Sequence, residues 1–275
     1  KNKQLELVSR MFYRNEVENG DVFLVGDIFY PGLEQIKYMA ELQDLTVHIA
    51  AFNYAGRSDN NDFVQKLGKW SDISEKAWHS ICDLVFFGSD YHKRQTVKHF
   101  NLDTSKCFTT GYIWNSHFVD LVHEPKNFFN KKEQVIWPHR ICPEKGFQDL
   151  LLYAALNKDT RIIITSSSTR KIEVDLPSNV SYYGSLTKQD YYRMLDDSKY
   201  YLSTAYQETF GYTIHEAIHY NCLIAAPNRS SYKSMFPNDK LYNEVEEANF
   251  YDFSEFKDYF HGNIYEVKKL INSKL

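Results

Sequence analysis

Leu5, Val8, Met11 and Phe12 recur at helical spacing, so the chain opens on an amphipathic helix. The run at 21–25, Asp-Val-Phe-Leu-Val, predicts a short buried strand, closed by Gly26-Asp27 and the Pro31-Gly32 turn. Leu33, Ile36, Met39 and Ala40 predict a helix over 33–42, and 45–52 reads as the next strand. Residues 54–70 are rich in Asp, Asn and Gly and predict a long loop with one helical turn. A helix at 74–81, a strand at 83–87, a helix at 91–99 and a strand at 107–110 complete this half. An opening helix in a strand–helix alternation predicts that a first strand and its loop lie outside the sequence.

Between 120 and 133 the periodicity stops, and the Pro, Asn and Lys content of HEPKNFFNKKE predicts an interdomain connection. The pattern then restarts. Strands are predicted at 135–137, 161–165, 180–183, 200–203 and 222–226, and helices at 145–157, 187–197 and 212–220. A last amphipathic helix is predicted over 254–274 from Phe256, Tyr259, Phe260, Tyr265, Val267 and Leu270. Alternating strands and helices indicate parallel sheets, hence an α/β chain of two Rossmann-like domains with a cleft between them. The expected division is 1–125, 126–253 and a C-terminal helix at 254–275.

Composition narrows the function classes. With 275 residues, 43% hydrophobic and 25% charged, the chain can bury a substantial core. A net charge of -4 gives no global attraction for nucleic acid, which leaves only a local basic face. The four cysteines have no metal-ligand spacing, so no zinc site is expected and a reducing, cytoplasmic setting is. No apolar run reaches the ~18 residues of a membrane span.

Two stretches carry chemistry. In Pro138-His139-Arg140-Ile141-Cys142-Pro143-Glu144-Lys145-Gly146, Arg140 and Lys145 sit on a strand-to-helix loop, where cations and free helix N–H groups suit a diphosphate. Taken alone they also fit a solvated turn. In the stretch 203–237, Glu208 and Glu216 stand seven intervening residues apart, with Phe210-Gly211 after the first acid and Ala217 after the second. The spacing puts Glu208 in a loop and Glu216 one turn inside a helix, so both aim at one pocket. Singly, each also fits a surface acid favoured by a helix dipole; the combination with the cation pair favours a site.

HRICPEKG, YYGSL and ETFGYTIHE together resemble the nucleotide-sugar site of family 4 retaining glycosyltransferases of the GT-B fold. VIWPHR, LSTAYQETFG, HEAIHYNC and APNRSSYKSMFP resemble segments of tRNA-queuosine mannosyltransferases, whereas that branch's N-terminal His-Glu-Asn-Gln run has no counterpart near His48–Tyr54. The resemblance implies a donor-binding domain at 126–253 and an acceptor-side domain at 1–125. It implies that Arg140 and Lys145 grip the donor diphosphate, that Glu208 lies by the transferred sugar in a positioning and electrostatic role, and that Glu216 holds the ribose. Thr209, Phe210 and Gly211 would offer backbone N–H groups, and Gly184, Ser185 and Leu186 would border the base. Retention of configuration, a UDP- or GDP-sugar donor and no required cofactor or metal follow from the same resemblance.

On the acceptor side the candidates are His48, Asn53, Tyr54, Arg57 and Asp59, with Lys93, Arg94, Lys98 and His99 as a basic helix face. His139, His215 and His219 read as structural. The favoured acceptor is a hydroxyl on a modified nucleobase in DNA or tRNA, for example hydroxymethylcytosine, as in a phage enzyme acting in the host cytoplasm. A transferase acting on a glycan, lipid or small molecule, and an inactive sugar-nucleotide binding protein, are the alternatives.

Overall fold

The computed structural model describes residues 2–166, 175–259 and 263–275. They form two compact units. The first runs to Tyr112 and takes in Asn263–Leu275, and the second starts at Ile113.

In the first unit α1 (Asn2–Tyr13) precedes β1 (Val22–Val25), α2 (Glu34–Leu42), β2 (His48–Asn53), α3 (Lys69–Ile81), β3 (Leu84–Phe87), α4 (Asp90–Phe100) and β4 (Cys107–Thr109). The sheet order is β1-β2-β3-β4, parallel throughout. Ile49, Ala51, Val85 and Phe87 face one core with Leu33, Ile36, Ala40 and Trp78, while Ala50, Phe52, Leu84 and Phe86 are buried on the other face. Such two-sided burial explains the unbroken apolar runs of β2 and β3. β1 departs from the expected buried strand. It lies at the sheet edge, so Val22 and Leu24 are exposed while Phe23 and Val25 pack inward. The loop at 54–70 contains the predicted turn, a 3₁₀ segment at Phe63–Leu67 whose first N–H groups are met by Asp62.

The second unit opens on α5 (Ser116–Val122) and continues through β5 (Lys132–Trp137), α6 (Phe147–Leu156), β6 (Arg161–Ile164), β7 (Val180–Tyr182), α7 (Lys188–Asp197), β8 (Ser198–Leu202), α8 (Tyr212–His219), β9 (Leu223–Ala225) and α9 (Tyr232–Met235). Its strands are also parallel, in the order β7-β6-β5-β8-β9. The expected boundary after residue 125 is displaced to Tyr112/Ile113 for a long-range reason. Val119 is buried in the second unit's core, His123 Nε2 lies 2.9 Å from Asp196 Oδ2, and the Lys126 N–H donates to both Asp196 oxygens. Asp196 is itself buried and also meets Lys131. The connecting stretch is therefore strapped to the unit that follows it.

The single terminal helix expected over 254–274 is also corrected. Ser254–Tyr259 is a 3₁₀ segment beside α8, and α10 (Asn263–Lys274) belongs to the first unit. Phe256 packs on the second unit's core, Val267 is buried, and Phe260 lies outside the described residues.

Candidate functional site

β5 has β6 on one side and β8 on the other, so the chain runs outward from β5 through β6 to β7 and then crosses to β8 and outward to β9 in the opposite direction. Such a switch point opens a crevice at the carboxyl ends of the strands. A pocket of about 800 Å³ lies there. Pro138, His139, Arg140 and Lys145 enter it after β5, Thr165 and Ser166 after β6, Gly184, Ser185 and Leu186 after β7, and Glu208 after β8. Lys188 and Tyr191 of α7, Tyr212, Thr213 and Glu216 of α8, and Trp114 and Phe118 near α5 complete the wall. Its volume suits one mid-sized ligand.

The Lys145 ammonium donates to Glu208 Oε2 at 2.7 Å and to the Gln207 carbonyl at 3.0 Å. Both side chains are largely sheltered. The two loops that carry them are fused at close quarters. The N–H groups of Tyr206 and Gln207 donate to the Glu144 carbonyl at 2.9 and 3.2 Å. Thr204 Oγ1 accepts the Trp137 indole N–H at 2.9 Å and sits 2.8 and 2.9 Å from the carbonyls of Lys145 and Gly146.

Gly146 is required by this approach. Its φ is +67°, and a Cβ there would meet the Thr204 carbonyl oxygen at 2.1 Å. Gly146→Ala is expected to destabilise the second unit by about 2–4 kcal/mol, from left-handed strain plus overpacking. Thermal unfolding checks this, and a melt within about 1 °C of wild type contradicts it.

Glu216 is held differently. It is buried, and its carboxylate accepts from Lys188 Nζ at 3.1 Å, Tyr191 Oη at 2.8 Å and Tyr192 Oη at 3.1 Å. Partial desolvation at the pocket wall opposes the charge of Lys188, whose side chain is otherwise mostly exposed, yet the adjacent carboxylate outweighs it and holds the ammonium above its ordinary pKa. Burial first, and the Glu216 charge second, push the Tyr191 phenol well up, so it remains a donor. A carboxylate offers about four lone-pair sites. These donors take most of them and fix the group's orientation, leaving capacity for one further hydroxyl. Lys188 was missed by motif reading, although Lys188, Tyr191 and Tyr192 stand at i, i+3 and i+4 on one helix face.

Arg140 completes the cation set. Its side chain is 61% exposed, and Glu144 Oε1 is 3.7 Å away. The lining thus holds Arg140, Lys145 and Lys188 against Glu208 and Glu216, an excess of positive charge suited to an anionic ligand. Thr209, Phe210 and Gly211 do not form part of the lining, and the Phe210 ring is buried against Tyr212 and His215. Gly211, at φ +84°, turns the chain into α8. The three histidines are packed: His139 near Tyr201, His215 beside Phe210 and Phe236, and His219 2.6 Å from Asp120. Burial pushes His139 and His215 well below the usual histidine range, so both are neutral. Among the described residues no group of three or more His, Cys, Asp or Glu could hold a metal ion, and no helix is long and apolar enough to cross a membrane.

In the first unit the proposed acceptor residues do not form one cluster. His48 begins β2 and faces Asp83 at 3.8 Å, whereas Asn53 ends the same strand, about 17 Å away at the other edge of the sheet. Asn53 is fully buried, with Nδ2 3.2 Å from His79 Nε2. Arg57 turns inward too, donating to the carbonyls of Val64 and Gln65, while its N–H meets Glu75 Oε2 at 2.9 Å. Asp59 is buried and accepts the Asn61 N–H, and Tyr54 packs on Tyr112 at 4.2 Å. On α4, Lys93 pairs with Asp90 and His99 with Asp72, leaving Arg94 and Lys98 on the exposed face.

Two parallel α/β units, the second with its pocket at the strand carboxyl ends, have the GT-B fold. No family model matches the chain. Over 120 residues it is 28% identical to tRNA-queuosine alpha-mannosyltransferase of Drosophila melanogaster, a match that takes in 40% of this chain and 32% of that protein. Its fold is similar to S. aureus TarM solved with UDP (TM-score 0.59, 17% identity, 97% of this chain and 57% of that one). It is also similar to the pneumococcal O-GlcNAc transferase GtfA solved with UDP and GlcNAc (0.61, 12%, 97% and 59%). Sucrose-phosphate synthase of Thermosynechococcus elongatus shares the fold as well (0.63, 10%, 98% and 69%). The chain spans little more than half the length of the first two of these structures.

Proposed function

We propose that the chain is a retaining glycosyltransferase that moves a sugar from a nucleotide-sugar donor to a hydroxyl, the favoured acceptor being a modified nucleobase in DNA or tRNA. One observation carries the donor half: Arg140, Lys145, Glu208 and Glu216 line a single pocket at the switch point of the second sheet. In this reading Arg140 and Lys145 receive the diphosphate and neutralise the charge that develops as it leaves, usually the largest electrostatic contribution to such a step. Glu216, oriented by Lys188 and the two tyrosines, accepts a ribose hydroxyl. Gly184, Ser185 and Leu186 border the base. The sugar then lies between Glu208 and the acceptor, where the carboxylate positions it and stabilises positive charge at the anomeric carbon. Attack from the face the diphosphate leaves retains configuration, with the departing phosphate oxygen taking the acceptor proton.

Support for the nucleic-acid acceptor comes from the similarity to a tRNA-queuosine mannosyltransferase, and support for a UDP-type donor from the nucleotide in two fold neighbours. Calorimetry with UDP, GDP and their sugars tests the donor site. Arg140→Ala is expected to weaken binding about tenfold through loss of one charge-assisted contact; wild-type protein that binds no nucleoside diphosphate overturns the reading. Mass spectrometry of hydroxymethylated DNA, queuosine-containing tRNA and free glycans tests the acceptor. A sugar mass gained by a nucleic acid is expected, and gain by glycans alone sinks that half.

A further inference from the structure

Glu208 sits in a segment with no regular secondary structure, between the end of β8 at Leu202 and the start of α8 at Tyr212. No ladder or helix bond fixes a residue there; the Glu144 carbonyl takes the Tyr206 and Gln207 N–H groups, and something else must hold the segment on either side of that contact. Arg229 and Ser230 do so from the loop between β9 and α9.

The Arg229 guanidinium donates through Nε to the Ala205 carbonyl at 3.2 Å and through Nη2 to the Thr204 carbonyl at 3.1 Å and to Asp149 Oδ2 at 3.3 Å. Its Cζ lies 3.9 Å from the centroid of the Tyr206 ring, and the Tyr206 hydroxyl donates to Asp149 Oδ1 at 3.0 Å. A planar fork and a cation over an aromatic face are both guanidinium properties that an ammonium does not reproduce. Ser230 takes the next step along the chain. Its Oγ accepts the Glu208 N–H at 3.0 Å and lies 3.0 Å from the Glu208 carbonyl, which the Ser231 N–H also meets at 3.3 Å. To present that hydroxyl Ser230 adopts φ +50°, a left-handed conformation uncommon outside Gly and Asn.

Resting on the donor-site reading above, we infer that Arg229 and Ser230 are positioning residues for the Lys145–Glu208 pair. They form a clasp that fixes the loop at 204–208 from outside the pocket. Neither residue lines the pocket, so each acts through others. The route is short: Arg229 immobilises 204–206, Ser230 immobilises the Glu208 backbone, and Lys145 is bound to both the Gln207 carbonyl and the Glu208 carboxylate. Misplacement of a positioned charge by about 1 Å is enough to cost two orders of magnitude in rate.

Two measurements on the full chain test this. The first needs no ligand. Amide hydrogen exchange at Tyr206, Gln207 and Glu208 is expected to rise at least about tenfold in Arg229→Met and Ser230→Ala, with the β5 and β8 amides unchanged. Unchanged loop exchange overturns the clasp. The second is a double-mutant cycle read by UDP and GDP calorimetry. Arg229→Met alone is expected to weaken binding about tenfold, yet to add nothing in a Lys145→Met background, because positioning a missing group has no effect. Equal losses in both backgrounds mean a general structural role and overturn the inference. Wild-type protein that binds neither nucleotide removes the donor reading instead, and the exchange result still decides the clasp.

Discussion

Lys145→Met is expected to weaken nucleoside diphosphate binding about a hundredfold, more than any other single change in the pocket. The ammonium is sheltered and already aimed by the Gln207 carbonyl and Glu208, so a phosphate oxygen taking its third N–H gains a charge-assisted bond at little ordering cost. Arg140 is mostly exposed and loses more side-chain freedom for the same contact, hence its smaller expected effect. Removing Lys145 also strands Glu208. An unpaired, largely buried carboxylate costs about 1–3 kcal/mol, so Lys145→Met should be less stable than wild type. The double variant Lys145→Met with Glu208→Met separates the two effects. Thermal unfolding should recover in the double variant while nucleotide affinity does not. Recovery of both would mean that Glu208 merely blocks the pocket and that Lys145 is no phosphate ligand.

How far the chain could be read by pattern depended on which interactions were local. β2, β3, β5 and β6 are buried on both faces, so their apolar runs announce them, and the helices between them carry their own periodicity. Arg140, Lys145, Gly184, Ser185, Leu186 and Glu208 lie in the segments that follow strand ends and Glu216 in the helix after β8, and a parallel sheet gathers such positions by construction. The misreadings are long-range. Exposure of Val22 and Leu24 depends on which strand pairs with β1, which five residues of sequence do not record. The connecting stretch looked unstructured because its partner, Asp196, is some seventy residues away. His48 and Asn53 are close in sequence, but a strand carries its two ends to opposite edges of the sheet. Asn53 also turns inward because α3 brings His79 to meet it.

That inward network makes a large prediction of its own, in the first unit. Glu75 is fully buried, with Oε1 lacking a hydrogen bond and 3.9 Å from His79 Nε2. Gly56, at φ +142°, lets the backbone run against the carboxyl group, where a Cβ would lie 2.1 Å from Oε1. Burial, aided by the charges of Asp62, Asp72 and Asp27 and opposed by the Arg57 N–H, raises the Glu75 pKa from 4.5 to about 7. Burial likewise lowers His79 and His92 from 6.5 to about 3. The signs differ. Below pH 4.5 Glu75 is protonated in both folded and unfolded chains; as pH rises to about 7 the unfolded chain ionises first and stability falls, by up to about 3 kcal/mol. The histidines act in the other direction, contributing stability that is present above pH 6.5 and is lost as pH falls toward 3. Glu75→Gln keeps an acceptor for the Arg57 N–H and abolishes the Glu75 titration. Its stability relative to wild type should therefore be close to zero near pH 4.5, grow through neutrality, and level off above pH 7 at about 1–3 kcal/mol in favour of the variant. Exchange of β2 and β3 amides at pH 5 and pH 8 reports the first unit alone, and a difference that does not change with pH rules out a buried, protonated Glu75.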